Sequence, residues 1–80
     1  MSIEYKKKLL IMKDVVSVEA AEELLEWLQG KSGVRVDLSA CTHLHPANLQ
    51  VLMAAGIKVA QWPTDSALSH WIASALGTEK

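Results

Sequence analysis

The chain has no phenylalanine, one cysteine and two prolines among its 80 residues, and between Leu38 and Ile57 it has no Asp, Glu, Lys or Arg. Each shortage excludes something. The single Cys41 cannot close an internal disulfide, and the start MSIEYKKKLL lacks the long apolar core and cleavage site of a secretion signal, so a reducing cytoplasm is expected. The uncharged run is long enough to suggest a membrane span. Ser39, Thr42, His43, His45, Pro46, Asn48 and Gln50 make it too polar for lipid, so no membrane insertion is expected. No glycine-rich phosphate loop and no G-x-S-x-G elbow occurs, and Cys41 with His43 is only a neighbour pair along the chain. Enzymatic activity is therefore not expected, and no cofactor is implied. The net charge of −1 gives no general affinity for nucleic acid or anionic membranes.

What is present is a globular composition, 50% apolar and 21% charged, on a length that suits one domain over residues 1–80. Glu4, Tyr5 and the triplet Lys6, Lys7, Lys8 precede the apolar run Leu9 to Met12, which reads as a buried strand or an edge hairpin with a solvated lysine end. Ser17 is the expected N-cap of a first helix. Val18, Ala21, Leu24, Leu25 and Leu28 fall on its inner face, Glu19, Glu22, Glu23 and Glu26 on its back, and Gly30 at its end. Trp27 sits at the boundary of the two faces.

In VRVDLS, Val34, Val36 and Leu38 alternate with Arg35 and Asp37, the pattern of a strand with one better-buried face. Pro46 fits the first turn of a second helix that Gly56 closes, and IKVAQW follows as a short strand. Pro63, Thr64 and Asp65 open a third helix. Its inner face is expected to hold Leu68, Trp71, Ile72, Ala75 and Leu76, with His70 outside and Gly77 at the end. Alternating strands and helices predict a small α/β domain, a mainly parallel sheet of about four strands covered on one face by about three helices.

The stretch VRVDLSACTHLHPANLQVLMAA, together with LLIMKDVVSVEAAEELLEWL before it, resembles the signature of STAS domains. That signature is a strand ending in D-L-S, a short loop, D-S-S-G-L and an apolar helix. The resemblance covers about residues 9–60. It implies a protein-interaction module of signal transduction, of the kind found in bacterial anti-sigma factor antagonists, which bind a serine kinase and exchange partners when a serine at that helix start is phosphorylated. Here the family's aspartate falls on His45, its two serines on Pro46 and Ala47, and its glycine on Asn48. With no hydroxyl at either serine position, the phosphorylation switch is expected to be absent.

Two other features carry chemistry. Cys41, His43 and His45 alternate, so on a regular extended strand they would point to one side, which is ligand geometry for zinc or copper and supports a metal or small-ligand sensor as the alternative reading. In the second helix, Leu49, Leu52, Met53 and Gly56 are expected to meet the sheet, leaving Ala47, Val51, Ala54 and Ala55 outward beside Asn48 and Gln50. An uncharged back of small residues suits docking, because charge at an interface centre must be desolvated. The expected partner-binding set is His45, Pro46, Ala47, Asn48, Gln50, Val51 and Ala54. Its partner would be a kinase, an anti-sigma factor, another signalling protein, or a second copy of this chain.

Overall fold

The computed structural model describes residues 3–76. Strands β1 (Ile3–Tyr5), β2 (Leu9–Val16), β3 (Arg35–Leu44) and β4 (Lys58–Gln61) lie side by side in that order. β1 is antiparallel to β2, and the other pairings are parallel. Helices α1 (Ala20–Leu28), α2 (Pro46–Ala55) and α3 (Ser66–Leu76) follow β2, β3 and β4. The α/β class and the mostly parallel sheet therefore match the expectation, and Leu9 to Met12 belongs to a strand in a hairpin with β1.

Strands are added in one direction across the sheet, so right-handed crossovers place α1 and α2 on the same face. α1 packs on α2 and α2 on α3, which makes α2 the middle helix of a single layer. Between layer and sheet lie Leu10, Met12 and Val16 of β2, Val36, Leu38, Cys41 and Leu44 of β3, and Leu24, Leu28, Leu49, Leu52 and Ile72 from the helices. Among the described residues nothing covers the other face of the sheet, where Leu9, Ile11, Lys13 and Asp37 stay half-buried. The Lys13 ammonium donates to the Glu4 carboxylate there. That bond holds Glu4 below the usual carboxylate range and Lys13 above the usual amine range.

Several local expectations are corrected. Ser17 does not cap α1 with its side chain; the N-cap is Glu19, which makes no side-chain bond, and the Ser17 carbonyl accepts from Ala20 N–H at 3.1 Å. Val18 therefore precedes the helix and is 51% exposed, while Leu25 is 45% exposed on the flank of α1. In α3, Asp65 does cap, its Oδ1 accepting from Leu68 N–H at 2.8 Å. Trp71 is 38% exposed rather than inward, and Ser69 is buried in its place beside Ile72. Gly77 lies outside the described residues. Trp27 is half-buried at its boundary, its ring centroid 5.1 Å from that of Tyr5.

β3 departs most from simple alternation. Against β2 it carries two register shifts, one between the Ile11 and Lys13 pairings and one between those of Asp14 and Val15. Each gives β3 an extra residue, and each extra residue flips which side chains face the core. The buried positions consequently run Val36, Leu38, Cys41, Leu44. Asp37 braces the first shift, its Oδ1 accepting from Ser39 N–H at 2.9 Å and Ser39 Oγ–H at 2.7 Å. At the second, Asp14 takes a left-handed φ of 52°, a conformation that Asp tolerates better than most residues.

Candidate functional site

The bulges in β3 separate the three candidate metal ligands. Cys41 turns into the core at 2% exposure while His43 stands exposed, because the extra residue between them breaks the alternation that would have aligned them. The Cys41 thiol donates to the His43 carbonyl at 3.4 Å, and burial pushes its pKa up. His45 is turned to a third task. Cys41, His43 and His45 are thus not brought together, and among the described residues no group of three His, Cys, Asp or Glu side chains gathers.

His45 is the N-cap of α2. Its Nδ1 accepts from Ala47 N–H at 3.0 Å, so the ring satisfies one of the free amides at the helix start, and in the neutral ring the proton sits on Nε2. Histidine is an uncommon capping residue, and here the ring nitrogen takes the place of a carboxylate or hydroxyl oxygen. Pro46 follows at the first helical position, where its missing N–H costs nothing. Gly56, at φ 67°, closes α2 in the left-handed conformation, and its N–H points back to the carbonyls of Leu52 and Met53.

Asn48 was expected on the surface and is instead completely buried. Its Nδ2 donates to the Ser17 carbonyl at 2.7 Å and to the Val16 carbonyl at 3.4 Å, which ties the start of α2 to the link between β2 and α1. Its Oδ1 is buried without a hydrogen-bond partner among the described residues. Asn48 therefore leaves the partner-binding set. It positions α2, and it also turns it: with Asn48, Leu49 and Leu52 inward, the helix is rotated by roughly 45° from the expected orientation, at 100° per residue.

The rotation rearranges the surface. Met53, expected inward, is 46% exposed, and Val51, expected outward, is half-buried against the core with Ala47 on the same flank. Pro46, Gln50, Ala54 and Ala55 are exposed, and His45 is half-buried. On the Met53 side a groove of about 320 Å³ separates α2 from α3, lined by Leu52, Met53, Ile57, Lys58, Ala75 and Leu76. Since α2 has α3 on that flank, its Val51 flank faces α1.

Apart from Lys58 in the groove, this surface carries no formal charge. From Leu38 to Leu76 only Lys58 and Asp65 are ionic, so the exposed Ser66, Ala67, His70, Trp71 and Ser74 of α3 continue the uncharged area across the groove. α1 is the opposite case, with Glu19, Glu22, Glu23 and Glu26 all exposed. Reading the helices singly from the sequence missed Met53 and Trp71 as surface residues, since both are large and fall near an apolar stripe. The signal that points to them is the near absence of charge from both helices together. No family model matches the chain, and no curated protein is significantly similar to it in sequence.

Proposed function

We propose that this chain is a protein-interaction module of the STAS type, docking a regulatory protein through the exposed side of α2. The observation that carries the reading is the contrast within one helical layer: α2 exposes Pro46, Gln50, Met53, Ala54 and Ala55 without a charge, beside an α1 whose back is four glutamates. Small uncharged side chains allow close approach and lose little entropy when covered. His45, Pro46, Ala47 and Gln50 form the lip and first turn of the docking surface, Ala54 lies at its centre, and Val51 supports it from the flank. The order of elements and the Asp37-Leu38-Ser39 strand end leading into an apolar helix favour the STAS reading. Pro46 and Ala47 have no hydroxyl, so docking does not depend on phosphorylation there.

Affinity capture with two baits tests the proposal. Ala54→Glu places a charge on the exposed side, where folding stability should change by only about 0.5 kcal/mol. In a complex that charge must be desolvated without a counter-ion, and binding should weaken by roughly 2 kcal/mol or more. Proteins held by the native chain and released by Ala54→Glu support the reading. An identical set held by both folded baits rejects it.

A further inference from the structure

Net charge conceals a segregation of charge that the topology produces. Because β2, β3 and β4 are parallel, their first residues share one end of the sheet, and the register places Leu9 beside Arg35 and Arg35 beside Lys58. Lys8 precedes Leu9, and its carbonyl accepts from Arg35 N–H at 3.0 Å. Lys6 and Lys7 complete the same turn, and Lys31 precedes β3 with its Nζ 4.7 Å from the Trp27 ring centroid. Six of the eight basic residues are therefore at this end. Adjacent strands are about 4.8 Å apart, so the row from Lys8 across Arg35 to Lys58 is about 10 Å long.

Arg35 and Lys58 are directly opposite in the register, and like charges side by side on neighbouring strands repel, so this part of the row is unfavourable in the isolated chain. Of the six cations only Lys6 has an acidic partner among the described residues, Glu4 at 3.7 Å. None of the three helices has a basic residue in its last turn, and only Lys31 and Lys58 follow closely, three residues past the ends of α1 and α2, so the helix carbonyl ends offset only part of this charge. Nucleic acid is a poor match. The two aromatic rings at this end, Tyr5 and Trp27, lean on each other rather than standing free as a base-stacking platform.

The complementary surface is on the same chain. Glu19, Glu22, Glu23 and Glu26 are exposed along α1 and make no ion pair among the described residues. From Glu19 to Glu26 the rise of 1.5 Å per residue gives a stripe about 10 Å long, the length of the basic row. We propose that the basic row formed by Lys8, Arg35 and Lys58 receives the acidic back of α1 from a second copy of this chain. Opposite charge, equal length and near-zero net charge favour this pairing over an unrelated acidic partner. No residue of α2 takes part, and although Lys58 also lines the groove beside Met53, Ala54→Glu leaves the basic row unchanged, so the pairing and docking at that helix are tested separately.

Sedimentation in low and high salt, with a charge swap, tests the pairing. At about 0.02 M salt the native chain should show a mass that rises with concentration, and at about 0.5 M salt it should return to monomer. The double variants Arg35→Glu with Lys58→Glu, and Glu22→Lys with Glu26→Lys, should each associate at least tenfold more weakly while keeping the native circular dichroism. Mixed together, the two variants should associate again, because each then offers the other opposite charge at both contacts. Three results would overturn the proposal: a monomeric native chain at high concentration in low salt, no recovery on mixing, or a basic row that binds RNA without self-association.

Discussion

Replacing Asn48 with Asp changes almost no volume and turns the side-chain donor that holds α2 to the link between β2 and α1 into an acceptor. In the native chain Nδ2 donates to the Ser17 carbonyl at 2.7 Å; in Asn48→Asp an acceptor faces an acceptor, and a carboxylate is buried with no cation beside it. Losing the bond is worth about 1 kcal/mol, and an unpaired buried charge raises the cost to about 3 kcal/mol or more. A domain of this length has about 4 to 12 kcal/mol in all, so the effect should be large. Asn48→Ala should cost less, about 1 to 2 kcal/mol, because Ser17 and Val16 keep their bonds from Ala20 N–H and His45 N–H and the unmet Oδ1 disappears. The Asp penalty should also depend on pH. Burial raises the carboxyl's folded pKa above its unfolded value near 3.9, so the folded state holds the extra proton and stability falls as pH rises through that window. Urea denaturation followed by tryptophan fluorescence at neutral and mildly acidic pH measures both effects. If the Asp variant is as stable as the Ala variant at neutral pH, the clasp is not as described.

Further outcomes follow from other contacts. His45→Ala should lose about 0.5 to 1 kcal/mol with the Nδ1 cap, and His45→Asp should match or exceed the native stability, since the first turn of α2 has no acid of its own; thermal melts of both variants decide this. Burial, with the Glu23 carboxylate adding to it, pushes Tyr5 up to about 12 from 10.0. The folded state then keeps its proton longer than the unfolded state, so stability should fall as pH rises from 10 towards 12. Tyr5→Phe should flatten that fall in alkaline denaturation, and at neutral pH it should cost little, because the hydroxyl is buried without a hydrogen-bond partner among the described residues. Cys41, buried and with its pKa raised, should react slowly with a thiol reagent in the native state and quickly in denaturant.

The sequence made the element boundaries legible where the chain's own covalent limits set them. Pro46 and Gly56 bracket α2, Gly30 follows α1, and Asp65 caps α3, each for a reason local to a few residues. What depends on distant groups was not legible. The burial of Asn48 is decided by carbonyls more than thirty residues away, and it sets the rotation that exposes Met53 and draws in Val51. The extra residues of β3 show only against the register of β2, and without them Cys41 and His43 look like a pair on one side. Ser17 resembles a cap in the sequence, but the chain uses its carbonyl rather than its hydroxyl. The uncharged surface was legible because composition is independent of rotation. The charge row at the strand starts was not, since Lys8, Arg35 and Lys58 become neighbours only through the sheet.

Docking through α2 is tested most directly by a photoreactive phenylalanine analogue installed at one position at a time in the expressed chain. Gln50 is exposed on α2, and Thr42 is exposed on β3, outside that helix. A covalent adduct with another protein is expected from position 50 and none from position 42. An adduct from position 42 alone, or no adduct from position 50 in cells where the chain captures a partner, would contradict docking through α2.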